Sequence, residues 1–507
     1  MNSNAQKIAV IIEKIILIAF AVFSLLNFLS FLTKYENRYD FAVFLSSMPV
    51  WILFIISASA VFLLFLLLFR KMVSRIVERK ILSYGVIIIA VVLPRLLAIG
   101  IFRVTPLSDF KLYHDIASGL AKGEIVASGY ISLFPHTFGY PAVLSLLYRI
   151  FGPHYLAGQL LNVLAGVGIA VLIYQTGSIL FSREAGFSAA LFWAVWPSQV
   201  LYCTLICTET LFTFLMLLNI RVFISIIRKE PLRKAAFAGL GLLCAYTNCI
   251  RPFGIILTAS FILVLILDGL KHKGTLATKA VSCLILAAAY LVSASLFGMG
   301  LSGIIGRKTA GFPAGFNLLT GSNIKYAGTW NIEDSRILSD YTDNGSFDAQ
   351  EVQNAVMDIA IRRYEAQGLE NFRLFCMKYK VLWASDDDII NYMRAGLEEN
   401  PEDSVLFSSI ARYLRLICNV YYLMMTCLCI VSAIRLYRHE PGAPAYAFIL
   451  FILGTAAAHL LLEVAGRYHY PTVSLLSMLA GAGSEAALDH LKHSRIKAGM
   501  KPSPQKP

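Results

Sequence analysis

The sequence predicts an all-α polytopic membrane protein with about 12 to 13 transmembrane helices, interfacial helices in its first large outer loop and a small extracytoplasmic α-rich cap. Three observations lead there. Of 507 residues, 57% are hydrophobic and 15% charged, at a mean hydropathy of +0.67, which is more apolar surface than a soluble core requires. Apolar runs of about 20 residues, the length a helix needs to cross about 30 Å of hydrocarbon, recur about a dozen times. Between them, Lys and Arg gather in short segments.

The runs lie near 8–33, 43–69, 81–103, 154–181, 186–205, 208–227, 235–250, 253–268, 277–297, 405–434, 444–462 and 470–488. The first is too long for a signal-peptide core and lacks a small-residue cleavage site, so it reads as a retained span. The formal charge of +13 resides largely in Arg70, Lys71, Arg75, Arg79 and Lys80, in Arg228, Lys229, Arg233 and Lys234, and in Lys271, Lys273 and Lys279. Arg435, Arg438 and the tail from Lys492 to Lys506 continue the series. Basic loops alternating with spans are cytoplasmic loops, not a nucleic-acid surface.

With those loops inside, the segments 34–40, 104–153, 205–209, 251–252, 298–404 and 463–469 fall outside, which predicts a multi-pass plasma-membrane protein with its polar site extracytoplasmic. The chain then divides into an N-terminal transmembrane hairpin and basic loop (1–80), a transmembrane module carrying outer loop 104–153 (81–297), and an extracytoplasmic cap (298–404). C-terminal transmembrane helices (405–490) and a basic cytoplasmic tail (491–507) complete it. Within the outer loop, Pro141 to Phe151 reads as an interfacial helix, and within the cap Asp348 to Trp383 reads as helical. Nine cysteines, nearly all inside apolar runs and without metal-type spacing, read as free core residues.

Polar residues at a membrane boundary are usually working groups. Asp109, in Leu107-Ser108-Asp109-Phe110, either caps the helix that follows or serves as a general base. Glu209 opens a span, where it either complements the helix N-terminus or supplies a second carboxylate of a site, orienting an acceptor or holding a divalent metal with Asp109. Arg251 either snorkels to the interface or engages phosphate with its planar fork. In Glu463-Val464-Ala465-Gly466-Arg467-Tyr468-His469, an i, i+4 pair between Glu463 and Arg467 competes with an anion site that includes His469. Arg95, inside the third run, is a further phosphate candidate. Tyr113, Asp115, His136, Tyr140, Glu463 and Tyr468 are the candidate substrate contacts. No phosphate-cradling glycine loop or dinucleotide fingerprint occurs, so an energy-rich substrate for this chemistry must arrive in the membrane.

Taken in order, Arg95-Leu96, the run Ser108-Asp109 to Tyr113 to Ala117, Gly139-Tyr140-Pro141, Thr208-Glu209 and Arg251-Pro252 form a recognisable series. It continues with Gly321-Ser322-Asn323, Gly328-Thr329-Trp330, Lys378 to Trp383, and Arg467-Tyr468-His469-Tyr470-Pro471. The series resembles the polytopic GT-C glycosyltransferases, in the branch of protein O-mannosyltransferases and aminoarabinose transferases, over about 81–480. The resemblance implies a GT-C-like fold and an inverting transfer of a sugar from a polyprenyl-phosphate donor to a hydroxyl of an acceptor lipid, glycan or protein. It assigns Asp109 the catalytic aspartate of the first outer loop. Protein mannosyltransferases commonly carry a consecutive Asp-Glu pair there, whereas this chain has Asp109-Phe110, which weighs against a protein acceptor. Residues 8–69 lie outside the resemblance.

A transporter or lipid flippase would also place charges in the membrane, but such folds often show paired repeats, and no internal repeat is visible here. A structural or assembly subunit would tolerate replacement of the outer polar residues. The topology is open to test: a cysteine introduced at Ser346 is expected to react with an impermeant thiol reagent in intact cells, and protection there would place Asp109 on the cytoplasmic side.

Overall fold

The computed structural model describes residues 3–33, 72–229, 232–272, 274–342, 345–397, 401–439 and 441–497. The expected span at 43–69 and most of the basic tail lie outside them. The fold is all-helical at 83% helix, with no strand among the described residues. Helices α1 (Ser3–Thr33) and α2 (Lys80–Ile101) precede the long loop, in which α3 (Ser108–Lys122) and α4 (Gly139–Phe151) form. Then come α5 (Tyr155–Leu180), α6 (Arg183–Ala194), α7 (Thr208–Ile227), α8 (Lys234–Ile250), α9 (Gly254–Lys271) and α10 (Leu276–Ile305). The segment after α10 holds α11 (Ile332–Asp340), α12 (Ala349–Gln367), α13 (Glu370–Trp383) and α14 (Ile389–Leu397), and α15 (Pro401–Arg438), α16 (Ala445–Leu461) and α17 (Tyr470–Lys497) close the chain.

Among the described residues, seven helices (α1, α2, α5, α7, α9, α10 and α15) are long and apolar enough to cross a membrane, and α8 and α16 are shorter apolar helices. The chain is a multi-pass membrane protein. One expected span needs correction. The run 186–205 is not one helix, because α6 stops at Ala194 and Trp196 is extended ahead of Pro197. Proline removes a backbone donor and drives the residue before it out of helical geometry. The run 470–488 forms a helix, α17, as expected, and it is enclosed by protein: every residue from His469 to Ser484 is buried.

Small residues let α17 sit at the centre. A side chain at Gly481 would meet the Ala185 carbonyl of α6 at 2.5 Å, and one at Gly483 the Leu428 carbonyl of α15 at 2.0 Å. Ser474, Ser477 and Ser484 return their hydroxyl protons to carbonyls three residues back, at 2.7, 2.7 and 2.8 Å. Close backbone approach through small residues is how helices bind each other where the surroundings are as apolar as the side chains.

The first helix has a structural role that its sequence did not disclose. It packs on α9, α15 and α16, and buried Glu13 pairs with Lys271 of α9 at 2.5 Å. Phe23 meets Trp383 of α13 edge-on at 4.8 Å, and Tyr379 donates to the Phe23 carbonyl at 3.1 Å. In this way α1 buttresses the segment that leads to the site.

The outer-loop helix begins at Gly139, two residues before the expected Pro141. Its N-terminus lies against the end of α8, where a side chain at position 139 would meet the Cys249 carbonyl at 2.2 Å. Gly139→Ala is therefore expected to lower stability by about 1 to 3 kcal/mol, the usual cost of overpacking, and thermal unfolding of the purified protein in detergent checks it.

Candidate active site

Alternate helix ends bring the charged residues together. Asp109 follows the C-terminus of α2, Glu209 opens α7, Arg251 closes α8, and Arg467 lies in the turn between α16 and α17. All four line one cavity of 1140 Å³. At Leu107 the chain is extended, and at Ser108 it passes through φ of 51°, a left-handed conformation for a residue with a side chain. Such a conformation costs about 1 to 3 kcal/mol and persists where the surroundings enforce it, often beside an active site. It sets Asp109 in the first turn of α3 without capping it, since the cap position receives no side-chain hydrogen bond.

Instead, the Asp109 carboxylate Oδ2 accepts from Arg467 Nη2. The Nε of Arg467 lies 3.8 Å from Glu209 Oε1, and Arg251 Nη1 donates to that same Glu209 oxygen at 2.5 Å. The result is a line of alternating sign: Asp109, Arg467, Glu209, Arg251. Glu209 is buried, its side chain only 2% exposed, and Arg251 is nearly so, which rules out the snorkelling alternative. A charge held away from water requires a partner.

Aromatic faces complete the enclosure. The Arg467 guanidinium lies over Phe110 at 5.2 Å, Tyr392 at 5.4 Å and Tyr468 at 5.7 Å, and Arg251 over Tyr468 at 5.2 Å. Ring quadrupoles attract such cations. The Asp388 carboxylate accepts from the Arg467 backbone N–H at 3.1 Å, and Gly466 leaves room for it, since a side chain there would meet Asp388 Cβ at 2.8 Å.

The i, i+4 pair expected between Glu463 and Arg467 does not form. Glu463 accepts from Tyr468 Oη at 2.8 Å and Thr320 Oγ1 at 3.2 Å. Burial pushes its carboxyl above the ordinary value, against those two donors and the charge of Arg467. His136 lines the cavity as well. Burial, then the charge of Arg251, push its imidazole down to about 4, which keeps it neutral at physiological pH.

Tyr113, Tyr468 and Glu463 also line the cavity, whereas four expected residues do not. His469 faces the core, with Nδ1 2.6 Å from the Leu382 carbonyl and Nε2 3.0 Å from Asp386 Oδ1, stacked between Trp383 and Tyr422. Its expected contact with phosphate is corrected to a structural one. Arg95 is buried over Trp193 at 4.6 Å and donates to the Ala194 carbonyl at 2.8 Å, capping the interrupted α6. Asp115 pairs with Lys111 at 2.6 Å on the outer face of α3. Tyr140 is fully buried and meets Tyr113 edge-on at 5.9 Å.

Other residues in or supporting the site escaped the sequence reading. Asp386 anchors the turn before α14, accepting from Trp196 Nε1 at 2.5 Å and Ser198 Oγ at 2.6 Å. The run Asp386-Asp387-Asp388 was the signal available for it. His459 and Asn248 line the cavity from α16 and α8, inside runs read only as spans. Lys378, which does belong to the sequence series, lies behind the cavity: it donates to the Gly321 carbonyl at 2.9 Å, and burial pushes its ammonium down to about 7 while Glu463 acts in the opposite sense.

Asp109 and Glu209 do not fit a resident divalent cation. Each is bonded to an arginine, and among the described residues no group of three or more His, Cys, Asp or Glu has an arrangement able to hold a metal.

Residues 135–297 match the family described as dolichyl-phosphate-mannose-protein mannosyltransferase. The resemblance to GT-C glycosyltransferases holds over that stretch. It contains His136, Glu209 and Arg251 of this site, while Asp109 and Arg467 flank it. A search of curated proteins gives no match. Among solved structures, the chain is similar to the Archaeoglobus fulgidus oligosaccharyltransferase in its apo form, at TM-score 0.46 and 12% identity, covering 84% of this chain and 53% of that one. It is also similar to AglB from Archaeoglobus fulgidus in complex with an inhibitory peptide and a dolichol-phosphate (TM-score 0.44, 11% identity, 82% and 52% covered). A third is ArnT from Cupriavidus metallidurans bound to undecaprenyl phosphate, at TM-score 0.35 and 11% identity, with 84% and 81% covered. The chain spans about half the length of the oligosaccharyltransferases.

Removing one partner of the buried Glu209–Arg251 pair leaves the other charge stranded, at a typical cost of about 3 to 5 kcal/mol. Arg251→Ala is expected to destabilise the protein accordingly, and Glu209→Gln combined with Arg251→Gln to recover most of the loss. Thermal unfolding of the single and double variants checks this; a single variant as stable as wild type would show that the pair is not buried.

Proposed function

We propose that the protein is an inverting membrane glycosyltransferase, moving a sugar from a polyprenyl phosphate to an acceptor hydroxyl at the extracytoplasmic face of the plasma membrane. One observation carries the reading: two arginines and two carboxylates converge in a single cavity at the ends of apolar helices, within and beside the stretch that matches the mannosyltransferase family. Arginine forks suit phosphate oxygens, and the apolar helices suit a lipid tail. The placement of basic segments supports the extracytoplasmic side.

In this reading the acceptor hydroxyl gives its proton to Asp109 as its oxygen bonds to the anomeric carbon. The carbon–oxygen bond to phosphate breaks on the opposite face, and the polyprenyl phosphate leaves with the bonding electrons. The arginines stabilise the charge that grows on the leaving phosphate.

Both arginines are bonded to carboxylates before any donor arrives, so a phosphate gripped through the full fork of one of them competes with its carboxylate. Glu209 is 2% exposed at its side chain and would be stranded without Arg251, whereas Asp109 is 36% exposed and can turn to water. Arg467 is therefore the arginine that changes partner. Its departure frees an Asp109 lone pair for the acceptor proton, so donor binding prepares the base.

Asp109→Asn is expected to cut release of polyprenyl phosphate from a polyprenyl-phosphate sugar by about 10² to 10⁴, the usual worth of a general base, while donor binding persists. Arg467→Ala should weaken donor binding roughly ten- to a hundredfold, and Arg467→Lys should recover only part, because a point charge lacks the fork. Radiolabelled donor binding and turnover in proteoliposomes separate the two effects. More than a tenth of wild-type turnover in Asp109→Asn would sink the base assignment.

A further inference from the structure

The cavity has a second wall, unlike the first. The residues between 311 and 347 that line it include Phe312, Trp330, Ser335, Ser339 and Thr342, and none of the lining residues in that interval carries a formal charge. Ser335 and Ser339 stand one turn apart on α11, and Thr342 follows one turn on, so their hydroxyls share one side. Each hydroxyl proton is already used. Ser335 donates to the Asn331 carbonyl at 3.0 Å, Ser339 to the Ser335 carbonyl at 3.1 Å, and Thr342 to the carbonyls of Leu338 and Ser339 at 3.3 and 3.2 Å. A hydroxyl so engaged still offers lone pairs, so this wall is a row of neutral acceptors.

Trp330 lines the same cavity and is 59% exposed on a polar segment, a costly placement for so large an apolar group unless something covers it. The wall is also rigid. Fully buried Asp334 accepts from Asn323 at 3.0 Å, Asn331 at 2.7 Å and Arg363 at 2.9 Å, which locks α11 in place. Backbone bonds from Glu463 N–H to the Asn317 carbonyl at 2.7 Å and from Val464 N–H to the Gly328 carbonyl at 2.9 Å tie it to the turn that carries Arg467.

Acceptors without charge, in a row that shares its cavity with an exposed indole, are complementary to a ligand rich in O–H donors that also presents an apolar C–H face. A phosphate would require cations here, and a lipid tail would leave the hydroxyls unmet. A peptide backbone brings as many carbonyls as N–H groups, and the carbonyls would find no donor in the row. We infer that this wall is an acceptor subsite for a neutral saccharide, lying against Trp330 with its hydroxyls directed to Ser335, Ser339 and Thr342. The inference rests on the transferase reading for the word acceptor and on the wall alone for the saccharide.

The test uses purified full-length protein in lipid nanodiscs without donor, titrated with a panel of neutral oligosaccharides built from hexoses and N-acetylhexosamines, and read by saturation-transfer NMR. At least one member is expected to bind, with Trp330→Ala weakening it about tenfold, Trp330→Phe weakening it less, and Ser335→Ala with Ser339→Ala weakening it about threefold. Polyprenyl-phosphate binding in the same variants should stay unchanged, showing that they are folded. Absence of binding by every panel member, binding indifferent to Trp330→Ala, or Trp330-dependent binding of serine- and threonine-containing peptides in its place would each overturn the inference. If wild-type protein bound the saccharide but not polyprenyl phosphate, the transferase reading would fall and the subsite would remain.

Discussion

Charge placed away from water governs this structure. A lone buried carboxylate or guanidinium is costly, and a pair remains costly unless its geometry is good. Three such groups, Glu209, Arg251 and Arg467, sit at one end of the helical bundle with the more exposed Asp109 beside them, and each neighbour along the line carries the opposite sign. The line joins the segments after α2, before α7, after α8 and before α17, so elements far apart in sequence must meet correctly or leave a charge exposed to apolar surroundings. The same arrangement has a chemical consequence. A site whose cations are already partnered binds an anion by exchange, and exchange is easiest where the displaced carboxylate can reach water.

The segment after α10 is attached to the site at several points rather than resting on it. Two backbone hydrogen bonds run from Glu463 and Val464 to Asn317 and Gly328, and Tyr364 donates to the Leu461 carbonyl at 2.6 Å. Gly321 makes the approach possible, because a side chain there would meet the Leu461 carbonyl at 2.3 Å. Behind it, α1 supports α13 through Phe23 and Tyr379. The cavity thus has one charged wall and one neutral wall, the latter from residues 311–347, held in register by main-chain bonds.

Much of this was legible from local composition. Long apolar runs such as 208–227 and 235–250 became helices at nearly those bounds, because burying apolar residues in such a run favours a helix whatever surrounds them. The polar residues in the loops were equally visible, and Asp109, Glu209, Arg251 and Arg467 do share a cavity. The break before Pro197 was written in the chain but submerged in an apolar run.

The sequence by itself determined the helical membrane class, the approximate helix ends and the candidate charges, since each depends on the free energy of one segment in its own surroundings. Tertiary structure alone decided which charge faces which. Arg467 and Asp109 are 358 positions apart, and no local pattern selects that pairing over one between Glu463 and Arg467. Nor does composition tell a histidine that faces a cavity, such as His136, from one satisfied in the core, such as His469. A side chain's role follows from its partners, and partners so distant along the chain are chosen only when the helices pack.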